Sequence, residues 1–269
     1  MKMLPFAAAQ GLWDYLGALR PRIRVHSAWV GEFYDEVLKS KKSVASSQIE
    51  ALRQQLALSP DDLVLHDLGA SGDALPERKR ATTVGHLART GARRPYTGQV
   101  LAGMVQWLQP QAVLELGTQL GLATAYLEAG LPQEAMLVTI EGDPTLAQLA
   151  RAHWGELGIA PHRITLEQRS FEDYLQQAPS QPWGFVFLDG RHTYASTHQY
   201  IQALIPHLAE EAVVVLDDIY WSSGMRKAWR ELKSHPTFPV SVDLYRLGVL
   251  VKRPQAREHF ALPCAFWRR

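Results

Sequence analysis

The chain has 269 residues, of which 46% are hydrophobic and 20% are charged, so it is long enough to bury one substantial core. Its 28 Lys and Arg residues nearly balance its 27 Asp and Glu residues, and the net charge of +1 gives no reason to expect nucleic acid as a partner. Two basic clusters, residues 78–80 and 93–94, are interpreted as solvated surface, with anion sites as the alternative.

The first 92 residues predict an N-terminal extension with helices and one short strand. Its beginning, MKMLPFAAAQGLW, resembles a signal peptide only faintly, because the apolar run is short and contains Pro5. No run in the sequence approaches the roughly 20 apolar residues of a membrane span. The single cysteine, Cys264, excludes an internal disulfide and fits a reducing compartment. We therefore expect a cytoplasmic protein and no membrane partner.

Residues 63–72, LVLHDLGASG, contain an apolar strand followed by a glycine-rich turn. Such a turn can bind a nucleotide when a helix follows it, but Pro76 and a run of charges stand where that helix should begin. We therefore predict no nucleotide site in this segment. The main domain, residues 93–269, then begins with a helix that buries Val100, Leu101, Met104, Val105 and Leu108.

Residues 113–127, VLELGTQLGLATAYL, contain the most informative pattern of the chain. An apolar strand is followed by a turn with Gly117 and Gly121 and then by an amphipathic helix. Glycine permits the tight turn and lets a ligand approach the backbone. The spacing G-x-G-x-x-G of nicotinamide-binding turns is not present. The pattern favours another kind of nucleotide-binding turn, and an ordinary strand–helix turn of some other α/β protein is the alternative.

Two further strands are predicted after this turn. Residues 137–140 form a short buried strand that ends in Glu141, and a carboxylate at that position can accept hydrogen bonds from ribose hydroxyls. The helix that follows contains His153 and Trp154 at apolar positions, so both are interpreted as packing residues. Residues 164–167 form the next strand, and Ser170 after it is interpreted either as a ligand contact or as a helix N-cap.

Two fully apolar strands, residues 185–188 and 213–216, each stop at aspartate. Ligands of open α/β sheets bind beyond the carboxyl ends of the strands, so Asp189, Asp217 and Asp218 are expected to converge. Three carboxylates in one cleft repel each other, and a hard divalent cation relieves that repulsion. Mg²⁺ is the first expectation, with Mn²⁺ or Ca²⁺ as alternatives, and aspartates that only cap turns are the other interpretation.

The order of these motifs resembles that of class I S-adenosylmethionine (SAM) methyltransferases. It is most similar to the metal-dependent O-methyltransferases of the catechol and caffeoyl-CoA type and to the cephalosporin hydroxylase-like group, over roughly residues 94–252. The resemblance implies an α/β fold with a Rossmann-like, seven-stranded sheet. The runs at residues 240–246 and 248–252 predict the antiparallel hairpin that closes such a sheet. The extension is then expected to cover the mouth of the active site.

The resemblance also implies roles for individual residues. The positions that match the cofactor site are Glu115, Gly117, Thr118, Gln119 and Gly121 for the methionine part, Glu141 and Gly142 for the ribose, Ser170 and Phe171 for the adenine, and Asp189 nearby. The metal-ligand positions are Asp189, Asp217 and Asp218, although catechol enzymes carry asparagine at the last of these. His192 stands where those enzymes carry a lysine base, and an imidazole can take a proton from an acidic hydroxyl near neutral pH.

The resulting prediction is an enzyme that transfers the SAM methyl group to a hydroxyl oxygen of a small molecule, assisted by a divalent metal. Tyr220 and Trp221 are predicted to form an aromatic wall for that substrate. Two alternatives stay open: a metal-independent N- or O-methyltransferase, and a protein that binds SAM or a partner without turnover. The sequence also leaves a homodimer open.

Overall fold

The computed structural model describes residues 6–19, 27–39, 46–67, 78–90, 95–177 and 182–263. Cys264, the basic pair 93–94 and the glycine-rich segment 68–77 lie outside the described residues, as do the side chains of the basic cluster 78–80.

The secondary structure alternates between helices and strands over most of the chain. The helices are α1 (Phe6–Ala18), α2 (Ala28–Phe33), α3 (Ser46–Leu58), α4 (Val84–Thr90), α5 (Pro95–Leu108), α6 (Leu122–Gly130), α7 (Pro144–Glu156), α8 (Phe171–Gln176), α9 (Tyr194–Leu204) and α10 (Ser223–Leu232). The strands are β1 (Asp62–Asp67), β2 (Arg78–Thr83), β3 (Ala112–Leu116), β4 (Met136–Glu141), β5 (Ile164–Gln168), β6 (Trp183–Leu188), β7 (Leu208–Asp217), β8 (Val240–Asp243), β9 (Leu247–Val251) and β10 (Glu258–Ala261).

The chain divides into two compact units. The terminal unit contains Met1–Lys39 and Ala178–Arg269, and the central unit contains Ser40–Gln177. The domain boundary predicted between residues 92 and 93 is not a boundary of these units, and it stays a prediction.

The central unit is organised around the parallel strands β3, β4 and β5. Every residue of β3 is buried, as expected for a parallel strand that is covered on both faces. The predicted helix that begins the main domain is α5, and four of its five predicted core residues are buried, Leu108 being the partly exposed one. A separate antiparallel pair joins β1 to β2. The segment between β1 and β2, residues 68–77, lies outside the described residues, so the absence of a nucleotide site there stays a prediction.

The terminal unit contains parallel and antiparallel strands. β6 and β7 are parallel, β9 is antiparallel to both β7 and β8, and β10 is parallel to β8. The predicted hairpin is therefore present, but its turn is Leu244–Arg246 rather than residue 247 alone, because Tyr245 adopts a left-handed φ of 68°. The backbone N–H of Tyr245 donates to Asp243 Oδ1 at 2.8 Å and fixes that turn.

The predicted fold class, a mostly parallel α/β sheet with terminal antiparallel strands, is confirmed, with β10 as a strand beyond the seven predicted. The N-terminal helix α1 belongs to the terminal unit, where the buried Tyr15 hydroxyl donates to the carbonyl of Leu262 at 2.6 Å. Among the helices that the structure describes, none is both long enough and apolar enough to cross a membrane.

The conformation of Gly121 predicts a pair of contrasting substitutions in the central unit. Gly121 has a φ of 76°, and a Cβ at this position would lie 2.6 Å from Trp154 Nε1. Gly121→Ala is therefore expected to lower the free energy of unfolding by about 2–4 kcal/mol, from left-handed strain and from the clash. Gly155→Ala is the control, because a Cβ there has no atom within 4 Å. We expect this control to raise stability by up to about 1 kcal/mol. Urea unfolding measures both, and equal effects would contradict the prediction.

Candidate functional site

The glycine-rich turn after β3 is built from backbone conformations that few side chains allow. Gly117 has a φ of 110°, Gln119 of 50° and Gly121 of 76°. The N–H of Gly117 donates to the carbonyl of Ile140 at 3.1 Å, which extends the pairing of β3 with β4 by one residue. The turn then leads directly into α6, for which Gly121 is the N-cap. Its backbone therefore lies at the carboxyl end of β3, where the sequence predicted a ligand site.

Glu141 is held at the tip of β4 by two backbone amides from opposite sides. Its Oε2 accepts from the N–H of Gln119 at 2.8 Å, and its Oε1 accepts from the N–H of Asp143 at 2.9 Å. Burial raises the pKa of this carboxyl group, while the hydrogen bonds from Asp143, Gln119 and Gly142 oppose the shift. The carboxylate is thus fixed in one orientation while its residue keeps part of its surface exposed.

Two side chains of α7 support the turn from behind. Trp154 Nε1 donates to the carbonyl of Gly121 at 2.9 Å, and His153 Nδ1 lies 2.9 Å from the carbonyl of Leu120. Both side chains are buried, which agrees with their interpretation as packing residues. Their hydrogen bonds to the turn were not predicted, because helical spacing shows which residues are buried but not what their ring nitrogens contact.

Glu115 and Thr118 lie beneath the turn rather than on its surface. Glu115 is fully buried, and its Oε2 accepts from the hydroxyls of Thr124 at 2.5 Å and Thr139 at 2.6 Å. Thr118 is buried as well, and its hydroxyl lies 2.6 Å from that of Thr139. The partly exposed members of the predicted cofactor set in this unit are Gly117, Gln119, Glu141, Gly142, Ser170 and Phe171.

Ser170 and Phe171 follow the end of β5, the next parallel strand. Glu141 is in register with Gln168, so both residues lie beyond the same edge of the sheet as Glu141. The Ser170 hydroxyl accepts from the N–H of Asp173 at 3.0 Å and caps α8. The N-cap interpretation of Ser170 is therefore correct, and its partly exposed position leaves a ligand contact open.

In the terminal unit, three predicted site residues come together at the ends of β6 and β7. Leu188 is in register with Leu216, so Asp189, directly after β6, and Asp217, the last residue of the parallel neighbour β7, lie at the same edge of the sheet. Each of Asp189, His192 and Asp217 offers a ligand atom, and these atoms all lie within 4.8 Å of one another. His192 Nε2 is 3.6 Å from Asp189 Oδ1. Asp217 is almost fully buried, at 1% exposure, while the other two are partly exposed.

Asp218 lies outside this group. Its backbone has a left-handed φ of 48°, and its Oδ1 accepts from Arg246 Nη2 at 2.7 Å. The structure thus brings together two of the three predicted metal ligands and adds the predicted base, His192. The three residues form a set of two oxygen donors and one nitrogen donor, a combination that can hold a divalent cation.

The predicted aromatic wall divides into two different environments. The Tyr220 hydroxyl donates to Asp243 Oδ2 at 2.6 Å, and burial followed by the charge of Asp243 raises the pKa of Tyr220. Its ring also stacks on that of Tyr245, with a centroid distance of 5.6 Å. Trp221 is instead 64% exposed. Of the two residues, Trp221 is therefore the one with a side chain open to contact from solvent.

Comparison with known proteins finds a family match over the segment that contains the predicted cofactor residues from Glu115 to Phe171 and the candidate metal group. Residues 114–219 match the family described as a methyltransferase domain. A protein of Mycobacterium sp. (strain JLS), provisionally named an O-methyltransferase, is 29% identical over 113 residues, which are 42% of this chain and 50% of that protein. The chain thus spans about half the length of the curated relatives it matches.

Solved structures support the fold over a longer part of the chain. Cofactor-bound Rv0187 from MTB is similar with a TM-score of 0.56 and 20% identity, covering 84% of this chain and 97% of that one. The O-methyltransferase TomG from Streptomyces achromogenes, in complex with SAM, has a TM-score of 0.52 and 21% identity, covering 60% and 81%. Residues 114–219 therefore match a methyltransferase domain, and the fold that the resemblance to methyltransferases implied is confirmed by these solved structures.

Proposed function

We propose that this chain transfers the methyl group of SAM to a hydroxyl oxygen of a small molecule, with help from a divalent cation. The observation that carries the proposal is the carboxylate of Glu141, fixed by Gln119 and Asp143 beside a left-handed glycine turn. The name of the mycobacterial relative favours oxygen as the acceptor atom.

The central unit is proposed to bind the cofactor. Glu141 accepts hydrogen bonds from the two ribose hydroxyls, because an ionised carboxylate has acceptor sites left after two backbone amides are bound. The backbone at Gly117 has no side chain in the way, so the methionine part can approach it closely. Ser170 and Phe171 supply the adenine contacts. Little rearrangement is needed on binding, since the protein already orients Glu141.

The terminal unit is proposed to bind the cation through Asp189 and Asp217. Neighbouring carboxylates at the ends of β6 and β7 repel each other, and a cation between them offsets that repulsion. When bound, the cation lowers the pKa of a coordinated hydroxyl group. If His192 served as a third ligand instead of as the base, its imidazole would favour Mn²⁺ or another transition-series cation over the Mg²⁺ first expected from the aspartates alone.

His192 is proposed as the general base that removes the acceptor's proton. A neutral imidazole has one nitrogen lone pair, so the ring can act as base or as metal ligand, but not as both at once. Because the ring lies among the candidate ligand atoms, metal binding by His192 would compete with its action as a base. In either role, its distance of 3.6 Å from Asp189 keeps the ring next to the carboxylate at the end of β6.

The function as a whole is tested with labelled SAM and a panel of catechols, sugars and hydroxylated acids, each with Mn²⁺, Mg²⁺ or a chelator. Methyl transfer that needs the cation is the expected result. Transfer that is indifferent to chelator would leave a metal-independent methyltransferase. SAM binding without transfer to any acceptor of the panel would favour the binding protein without turnover.

Removal of the Glu141 carboxylate is predicted to weaken SAM binding. Glu141→Ala should cost about 1.5–3 kcal/mol of binding free energy, because charge-assisted hydrogen bonds to the ribose are lost. Calorimetric titration of SAM measures this loss, and circular dichroism confirms the fold. Glu156→Ala, at an exposed position of α7, is the control and should bind like the wild type. A folded Glu141→Ala protein with unchanged SAM affinity would overturn the assignment of the cofactor site.

The two neighbouring aspartates at the end of β7 are predicted to differ in cation binding. Asp217→Asn should weaken Mn²⁺ binding by about 100-fold or more, since a ligand carries at least the effect of an outer-shell partner. The same change should raise, or barely change, thermal stability without metal, because it removes one of two repelling charges. Asp218→Asn is the matched control: it breaks the pair with Arg246 but should leave Mn²⁺ affinity nearly unchanged. Electron paramagnetic resonance of free Mn²⁺ measures the affinity of both variants, and thermal unfolding without metal measures their stability. A larger loss of Mn²⁺ affinity in Asp218→Asn than in Asp217→Asn would overturn this assignment.

Substitution of His192 separates its two candidate roles. As a base, His192→Gln should lower the rate of methyl transfer about 10² to 10⁴-fold, with SAM and Mn²⁺ affinities retained and the rise of the wild-type rate with pH lost. A loss of Mn²⁺ binding in this variant would show that the ring is a ligand. Wild-type turnover with the same pH profile would return His192 to a structural role.

A further inference from the structure

The terminal unit contains a polar cavity that the proposed reaction does not use. It has a volume of about 300 Å³ and lies between α1, α10 and the ends of β8 and β10. Its charged lining residues are Asp14, Arg226, Arg230, Lys233 and Asp243, with His259 beside them. None of Asp189, His192 and Asp217 lines it, so it is separate from the candidate metal group.

Three cations line this cavity from a single helix. Arg226, Arg230 and Lys233 follow one another at spacings of four and three residues, which place them on one side of α10 and its C-terminal end. Within the described part of the chain, no carboxylate oxygen lies within 4.0 Å of their nitrogen atoms. The recorded side-chain partner of Arg226 is neutral, the amide oxygen of Gln10 at 2.9 Å.

The buried carboxylate of the cavity is already engaged by other donors. Asp243 Oδ2 accepts from the Tyr220 hydroxyl at 2.6 Å and from Trp229 Nε1 at 3.1 Å, and Oδ1 accepts from the N–H of Tyr245 at 2.8 Å. Asp243 therefore contributes charge to the cavity, but its oxygens are largely occupied. With Asp14, the two carboxylates leave the five charged lining residues with an excess of one positive charge.

Lys233 directs its ammonium group at an uncharged partner. Its Nζ lies 3.1 Å from His259 Nε2, and His259 Nδ1 lies 2.9 Å from the Ser241 hydroxyl. An ammonium group only donates, so His259 Nε2 must accept and the ring must be neutral. Desolvation first, and then the charge of Lys233, lowers the pKa of His259, in agreement with that assignment. Desolvation likewise lowers the pKa of Lys233, so an anion beside it would restore the stability of its charge.

We propose that this cavity binds a small organic anion through Lys233, Arg230 and Arg226, with a phosphate or carboxylate group as the recognised part. Guanidinium and ammonium groups are the side chains that bind such oxygen anions. A volume of 300 Å³ exceeds that of an inorganic ion, since a water molecule takes about 30 Å³. The rings of Tyr220 and Trp229 in the wall provide an apolar surface for the rest of the molecule.

The position of the cavity links it to the segment after β7. Tyr220 lines the cavity and lies three residues after Asp217, the last residue of β7. The anion site itself does not depend on the proposed methyl transfer, since none of its residues is assigned to SAM or to the cation. It can therefore be tested with the protein free of both.

The test is a calorimetric titration of the full chain with inorganic phosphate, pyrophosphate and citrate at constant ionic strength. Saturable binding of at least one probe is expected, and the stronger probe distinguishes phosphate from carboxylate recognition. Lys233→Met and Arg230→Gln should each weaken that binding at least about tenfold, as expected for loss of a charge-assisted contact. Lys227→Met is the matched control on α10, because its side chain is 59% exposed, contacts Tyr194 and does not line the cavity.

Each result decides for or against the site. Binding lost in Lys233→Met and Arg230→Gln but kept in Lys227→Met supports it. The absence of saturable binding by the wild type would overturn it, as would an equal loss in all three variants, which would indicate general attraction to basic surface. Arg230 is exposed, so its variant stays informative even if Lys233→Met is poorly folded.

Discussion

Two backbone amides that donate hydrogen bonds to Glu141 hold together the turns that follow β3 and β4 in the central unit. Gln119 belongs to the turn after β3 and Asp143 to the start of α7, so one carboxylate joins two connections that are separate in sequence. Burial of that charge is unfavourable and raises its pKa, and the amides compensate for the lost water. Because the Glu141 carboxylate is already oriented before a ligand binds, less side-chain entropy is lost on binding.

The strands of this unit could be predicted because parallel strands buried on both faces are continuous apolar runs. The ends of β3, β4, β6 and β7 followed from the same signal, and with them the positions of Glu141, Asp189 and Asp217. β2 and β10 were not predicted, since RKRATT and EHFA contain no apolar alternation. The contact of Glu141 with Gln119 could not be predicted from the sequence either, because it requires a left-handed backbone at Gln119, which is not a glycine.

The candidate metal group shows where spacing alone stops being informative. Asp217 and Asp218 are equivalent in sequence, but the left-handed φ of Asp218 turns the chain after the first aspartate, and Asp218 pairs with Arg246 from the distant hairpin turn. His192 takes its place in the group. The result is two carboxylates with one imidazole instead of three carboxylates, which reduces the repulsion that the sequence implied. The composition of this candidate donor set therefore depends on His192, which the pair of adjacent aspartates does not indicate.

The hairpin turn Leu244–Arg246 and the residues beside it hold that loop in place within the terminal unit. Arg246 binds Asp218, Tyr245 stacks on Tyr220, and Asp243 accepts from the Tyr220 hydroxyl. The ring of Tyr245 also contacts Tyr15 of α1, with a centroid distance of 5.4 Å. The segment that carries Asp217 is thus braced by the C-terminal hairpin, which in turn packs on the N-terminal helix. Because these contacts join residues far apart in sequence, the geometry of the candidate metal group is a property of the folded terminal unit as a whole rather than of the chain around Asp217 alone.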